Sequence, residues 1–380
     1  MNRRIALISN IPAPYREPVF EEVARQFRDN FTVLYCKPLE KDRQWKFPIG
    51  KYPHVFLPGW SFTYHRIYMH HVHWNHGIWR ELNRQNPAVV ITNGFNPSHL
   101  IGFVWAMVKG RAHIAMTDGW LKSEEHLTPL HRWLRRRVFG RTTAFVGASR
   151  RSLELYQSYG APAEACFQSH LCGDNEAFFS QGGGLAERPY DLMFSGQFID
   201  RKMPDFFCEV ARLMKQRRRT LKVLLIGDGP LRAQTLQTLT DLGIDHDYPG
   251  FLSQGELPAR YAAAKLFLFP TRQECWGVVA NEACAAGTPV ITCDNSAIDG
   301  ELVKDGVNGH VLPLDAGQWA QAALDLLDDE PRWSAYSQAA RALVKPFTYQ
   351  HAGQGLVDAI HHVSSVQGWT AAATVTPTGQ

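Results

Sequence analysis

Seven cysteines are scattered along 380 residues, odd in number and with no C-x-x-C pair, so no disulfide framework is specified and a reducing cytoplasm is the simplest compartment. Long apolar runs are also missing. The best, Leu100 to Val108, stops at Lys109 and falls well short of the ~20 residues that a membrane helix needs. Arg3 and Arg4 imitate the start of a secretory leader, but the apolar stretch behind them ends at Ser9 and Asn10 and reads as a buried first strand. No strand is followed by G-x-G-x-x-G with an acidic residue downstream, which argues against a nicotinamide-dinucleotide dehydrogenase. No recognised nucleic-acid-binding motif accompanies the basic residues, so no nucleic-acid partner is expected.

Hydrophobic residues make up 45% of the chain and charged ones 20%, enough apolar matter for sizeable cores, and the length suggests two domains rather than one. The net charge of +4 hides an asymmetry. Residues 1–180 carry 23 Lys+Arg against 14 Asp+Glu, whereas residues 181–380 carry 17 against 22. Much of the excess sits in 131–141, where Trp133, Leu134, Val138 and Phe139 interleave with arginines; such a segment suits an anionic membrane surface or a helix with a solvated basic face.

Strand-length apolar segments at Arg4–Asn10, Phe31–Cys36, Ala88–Thr92, Ala112–Thr117 and Thr143–Gly147 alternate with helical patterns, the signature of a parallel sheet covered on both faces. Gln181-Gly-Gly-Gly184 reads as a linker, and the pattern restarts at Asp191–Ser195 and Leu221–Ile226. The expected organisation is an N-terminal Rossmann-like domain over 1–182, a second over 183–346, a helix over 347–366 and a disordered tail over 367–380.

The densest chemistry lies in PTRQECWGVVANEACAAGTPVIT, residues 270–292. Leu266 to Phe269 reads as a strand and Pro270 closes it. Val278, Val279, Ala283 and Ala286 then give a helix an apolar face, and Gly287 ends it. Unpaired N–H groups near Cys275, Trp276, Gly277 and Val278 would favour a phosphate at that helix start. Glu274 in the loop can accept hydrogen bonds from sugar hydroxyls, and Glu282, about two turns into the helix, can chelate a ribose. Upstream, Ser195-Gly-Gln-Phe-Ile-Asp-Arg-Lys202 follows a strand, so Gly196 can admit a phosphate and its cations can neutralise one. Gly227 and Gly229 form a turn at another strand end, suited to nucleotide approach or simply to turning.

The stretch from Glu274 to Ile291 resembles the E-x7-E region of the family 4 retaining glycosyltransferases, whose GT-B fold is α/β: two facing Rossmann-like doubly wound domains with a cleft between them and a C-terminal helix crossing back. The resemblance implies that Glu274 orients the transferred sugar and Glu282 the ribose. Gly196 and Lys202 match the family's diphosphate segment, but Gln197 stands where the family has Arg, so Arg201 is the candidate for the missing charge. Phe251 and Leu252 resemble the stretch bordering the base. In the first half, Tyr15 and Arg16, with Asn93 and Phe95, fall where the family binds its acceptor, and Asp118 is the carboxylate nearest the transferred sugar, in a region where the family often has His. Further implications are a nucleotide-sugar donor, a glycan or lipid-linked acceptor, no cofactor and no metal. The histidines of the Tyr64–Trp79 run (His65, His70, His71, His73, His76) lack the ligand spacing of a zinc site and suggest an acceptor-lining aromatic surface. The rival readings are a sugar-nucleotide epimerase or phosphorylase on the same scaffold, and a non-catalytic nucleotide-sugar-binding module.

Overall fold

The fold is known from a computed structural model that describes residues 3–40, 47–65, 69–180, 182–218 and 220–369. The chain forms two compact units, Met1–His170 with Tyr349–Gln380, and Leu171–Thr348.

The first unit opens with β1 (Ile5–Ser9), α1 (Glu17–Phe27), β2 (Phe31–Tyr35) and β3 (His54–Phe56). A hairpin of β4 (Trp60–His65) and β5 (Met69–Trp74) follows. Then come α2 (Ile78–Gln85), β6 (Val89–Asn93), α3 (Pro97–Val108), β7 (Ala112–Thr117), α4 (Pro129–Phe139), β8 (Ala144–Gly147), α5 (Arg150–Ser158) and β9 (Cys166–Gln168). Seven strands form one sheet in the order β3-β2-β1-β6-β7-β8-β9, every pair parallel. Period-two alternation explains the two layers of helices. Ile5, Leu7, Val89 and Ile91 point to a core shared with α1 and the C-terminal helix Tyr349–Val366, while Ala6, Ile8 and Val90 point to one shared with α2 and α3.

The second unit runs through α6 (Asn175–Phe179), β10 (Tyr190–Ser195), α7 (Pro204–Arg217), β11 (Lys222–Ile226), α8 (Arg232–Asp241), β12 (Asp245–Gly250), α9 (Leu257–Ala262) and β13 (Ala264–Phe269). It ends with α10 (Val278–Ala285), β14 (Val290–Thr292), β15 (Gly309–Val311), α11 (Ala316–Leu327) and α12 (Glu330–Val344). Its sheet is also wholly parallel, in the order β12-β11-β10-β13-β14-β15. Strand order reverses on either side of β1 in one sheet and of β10 in the other, and ligands of open α/β sheets bind outside the carboxyl ends of strands at such points.

The division falls at His170/Leu171, not at the expected glycine linker. Gly182 and Gly183 lie inside the second unit because side chains fill the space around them. A Cβ on Gly182 would meet the Arg341 guanidinium at 2.3 Å, and one on Gly183 would meet the Glu187 carboxylate at 1.7 Å. Arg188 and Arg341 both donate to the Ala286 carbonyl at the end of α10, at 3.0 and 3.1 Å, so this corner is a helix-end clamp. At the other end of the chain, Trp369 packs beneath the Arg3 guanidinium, 4.5 Å away, so order runs past the expected start of the tail; residues 370–380 lie outside the described residues.

The glycines of the Ile226–Gly229 turn have a packing cause as well. Gly227 has φ 122°, and a Cβ there would sit 1.9 Å from the Gly196 carbonyl oxygen. One on Gly229 would sit 2.5 Å from the Phe198 carbonyl oxygen, and the two loops are stitched by Gly196 N–H to Ile226 O (3.0 Å) and Phe198 N–H to Asp228 O (2.9 Å). Gly227→Ala should therefore destabilise the unit by about 2 to 3 kcal/mol. Gly243→Ala, at φ 63° with nothing within 4 Å, should cost only about 1 kcal/mol. Denaturant midpoints of the two variants check the ranking.

Candidate active site

In the second unit, β10 and β13 are adjacent, so the loop after each strand emerges at the same edge. The first carries Arg201 and Lys202 and the second carries Glu274. Arg272 N–H donates to the Arg201 carbonyl at 2.9 Å, and Thr271 Oγ1 donates to the same oxygen at 3.1 Å, which locks the two loops together. Arg201 Nη1 lies 2.6 Å from Glu274 Oε2, and the Lys202 ammonium donates to that same oxygen. Burial by itself would raise the Glu274 carboxyl, but the charges of Lys202 and Arg201 outweigh it and hold the group down at about 2. Lys202 also lies 4.8 Å from the centre of the Phe269 ring. Gln197 is half-buried on the same loop, and the second cation beside Lys202 comes from Arg201.

Gly277, at φ 95°, turns the chain into α10; a Cβ there would strike the Phe269 ring at 2.4 Å. No side chain caps this helix start. Trp276 is fully buried, donates from Nε1 to Asn281 Oδ1 at 2.8 Å and leans on Phe347 at 5.4 Å, so its side chain shapes the loop from beneath. Cys275 and Val278 are half-buried, while Phe251 is 54% exposed with Leu252 half-buried beside it. Glu282 is buried, and burial raises its carboxyl to about 7, with a hydrogen bond from Tyr261 pulling the other way. Tyr261 Oη also lies 2.8 Å from Ser195 Oγ, which ties Glu282 to the end of β10. Three positions missing from the sequence reading belong here: Tyr261, Asn281 and Gly173. A Cβ on Gly173 would lie 3.5 Å from Val278 and 3.7 Å from Glu282. The small Leu171-Cys-Gly173 stretch was their only local signal.

In the first unit, Asp118 follows β7 with its side chain 31% exposed, and Arg16 Nη2 meets Asp118 Oδ1 at 2.5 Å. Arg16 is itself only 3% exposed and also donates from Nη1 to the Ser169 carbonyl at 3.2 Å. Tyr15 and Asn93 are half-buried. Phe95 packs edge-on against Phe139 at 5.5 Å with the Arg135 guanidinium over it at 4.3 Å, so it is part of a packed cluster. A second polar group at these strand ends had no sequence signal: Asn10 Oδ1 accepts from Asn96 Nδ2 at 3.0 Å and faces His99 Nε2 at 2.9 Å. Burial lowers His99 to about 3, so its ring is neutral.

The histidine run forms the β4–β5 hairpin. Ser61 and Thr63 bond His73 and His71 on one face, and Glu40 accepts from His73 at 3.1 Å, while Trp60, Phe62 and Trp74 are exposed. The side chains of His65 and His70 lie outside the described residues. Among the described residues no three His, Cys, Asp or Glu side chains are grouped to hold a metal ion.

Two doubly wound parallel units of this kind define a GT-B fold, and solved structures share it. The Anabaena Alr3699/HepE protein in complex with UDP-glucose superposes with a TM-score of 0.71 over 95% of this chain and 100% of that one, at 15% identity. Residues 189–329, within the second unit, match the family described as glycosyl transferases group 1. A D-inositol 3-phosphate glycosyltransferase of Salinispora arenicola is 30% identical over 190 residues, 46% of this chain and 42% of that protein. The amylovoran biosynthesis glycosyltransferase AmsK of Erwinia amylovora is 26% identical over 238 residues, 60% of this chain and 58% of that one. The chain thus spans about half the length of the curated relatives it matches.

The Glu282 environment sets a test that needs no ligand. A carboxyl whose folded value is raised above its unfolded one subtracts stability as pH climbs from the unfolded value through the folded one. Between about pH 4.5 and 7 this group should cost on the order of 3 kcal/mol. Glu282→Gln should therefore raise the melting temperature at pH 8 and leave it nearly unchanged at pH 4.5, as read by thermal scans at both values.

Proposed function

We propose that the protein is a retaining glycosyltransferase that moves a hexose from a UDP- or GDP-sugar to a hydroxyl of a glycan or lipid-linked acceptor, in polysaccharide or glycolipid assembly. The observation that carries the reading is the convergence of Lys202, Arg201 and the uncapped start of α10 around Glu274. A diphosphate leaving group gains negative charge as its bond to C1 of the sugar breaks, and fixed cations with oriented N–H groups stabilise that charge best. Electrostatic stabilisation can then come from the protein's own groups, with no metal required. The acceptor hydroxyl oxygen forms the new bond to C1, and its proton passes to the departing phosphate oxygen. Glu274 positions the sugar and Glu282 the ribose. The UDP-glucose complex of the HepE protein supports a uridine donor, and the amylovoran relative supports a polysaccharide product.

Glu274 occupies in the free protein the cations that a diphosphate needs. Replacing it with Gln should therefore leave UDP-glucose binding intact or tighter while lowering turnover roughly 100-fold. Lys202→Ala and Arg201→Ala should each weaken binding about tenfold or more. Calorimetric titration together with UDP-release assays separates these outcomes, and normal turnover by the Glu274→Gln variant would sink the assignment. An epimerase would convert the sugar nucleotide with no acceptor present, and a binding module would never release UDP.

The basic helix α4 supports a peripheral membrane position. It exposes Leu130 and Trp133 alongside Arg132, Arg136 and Arg137, and Arg137 lies 5.3 Å over the Trp133 ring. Co-sedimentation with phosphatidylglycerol vesicles at low salt is expected, and it should be lost in high salt or in an Arg136→Glu/Arg137→Glu variant.

A further inference from the structure

We propose that Arg16 is a positioning residue for Asp118: it fixes one carboxylate oxygen from beneath so that the other is held out, at the carboxyl end of β7, to take a hydroxyl of the sugar substrate. The inference rests on the transferase reading above. Arg16 sits where an acceptor-binding side chain would be expected, yet its side chain is only 4% exposed and both its terminal nitrogens are engaged inside the unit, with Asp118 Oδ1 at 2.5 Å and with Ser169 O and Oγ at 3.2 and 3.5 Å. Its backbone is equally fixed. Arg16 N–H donates to Ala13 O at 2.8 Å, and its carbonyl accepts from Phe20 N at 2.9 Å in the first turn of α1. Asp118 is pinned from its other side by Ser152 Oγ donating to its carbonyl at 3.4 Å and by Gly119 N–H turning back onto Thr117 Oγ1 at 3.1 Å. The carboxylate nevertheless keeps 31% of its side-chain surface open. Stability alone is a weak reason for such a pair, because a buried arginine gains little over a well-packed apolar side chain. A fixed carboxylate at a strand's carboxyl end is where a hydroxyl can be received.

The test is acceptor-free release of UDP from UDP-glucose, in which water replaces the acceptor, for wild type, Arg16→Gln, Arg16→Lys, Asp118→Asn and the Arg16→Gln/Asp118→Asn double variant. Positioning predicts that Arg16→Gln and Asp118→Asn each lower kcat roughly 100-fold with the KM for UDP-glucose within about threefold. It also predicts that the double variant is no slower than Asp118→Asn, since the two act as one unit. Arg16→Lys, which keeps the charge but not the two-pronged geometry, should fall between wild type and Arg16→Gln. Circular dichroism and the thermal unfolding transition, each compared with wild type, report whether each variant is folded; if Arg16→Gln is not, the Arg16→Lys rate decides. An unchanged acceptor-free rate in the folded Arg16 variants, or losses that multiply in the double variant, overturns the proposal. A wild-type protein that releases UDP from no sugar nucleotide overturns the transferase reading, and the inference with it.

Discussion

Glu274 is a carboxylate that burial should neutralise and that two cations keep charged. Much of the donor side is arranged around that balance. Lys202 and Arg201 reach it only because β10 and β13 are neighbours and because the Thr271–Arg272 backbone is bonded to the Arg201 carbonyl. The Phe269 ring backs Lys202, and Gly277 has no room for a Cβ because that same ring fills the space. Glu274 also bridges to the segment after β14, donating its N–H to Asn295 O at 2.9 Å. Removing the carboxylate frees two cations held close together, a strong anion site. The eight-residue separation from Glu282 acquires its meaning from this contrast. One glutamate is held ionised by cations, while the other, in the body of α10 with Tyr261 beside it, is pushed toward neutrality by burial. Two carboxyls of the same type can thus meet a sugar and a ribose in different states.

The strands of both sheets that pass through the cores were legible in the sequence, since a strand buried on both faces reads as an apolar run. Ala112–Thr117 matches to the residue, and β1, β6, β10 and β11 match within one or two. What escaped was decided by tertiary context. The strand β12 reads Asp-His-Asp-Tyr-Pro-Gly, and it lies at the sheet edge, where polar side chains and a proline are tolerated. The β4–β5 hairpin hid because its aromatic residues Trp60, Phe62 and Trp74 are exposed while the face with Ser61, Thr63, His71 and His73 is polar, so its alternation marks no inward apolar face. The glycines at 182–184 look like a linker in a one-dimensional reading, and only the side chains packed on the first two, Arg341 and Arg188 at Gly182 and Glu187 at Gly183, show otherwise. In the site, the loop residues that follow Glu274 were found. Tyr261, Asn281 and Gly173 were not, because each acts through a neighbour distant along the chain or carries no charge to announce it. Arg16 is expected among the acceptor-binding residues, and nothing in Pro14-Tyr15-Arg16 says that the guanidinium turns inward.

The two units repeat one electrostatic device with a different exposure of its carboxylate. In each, a cation on the loop after the strand at the topological switch point pairs with a carboxylate at the carboxyl end of another strand: Arg16 with Asp118, and Lys202 and Arg201 with Glu274. In the first unit the cation is sealed in at 4% exposure and the carboxylate faces out at 31%. In the second all three members are enclosed, Lys202 at 11%, Glu274 at 14% and Arg201 at 24%. Two cations on one enclosed carboxylate leave positive charge in excess, which suits an anion. A site that presents a carboxylate over an enclosed cation repels anions at close range and suits neutral hydroxyls. The proposed function calls for both chemistries, a charged leaving group on one substrate and an uncharged nucleophile on the other. The same Rossmann-like scaffold yields the two settings by changing the number of cations on the carboxylate and the exposure of that carboxylate, with Arg201 adding a second cation from the loop that carries Gln197.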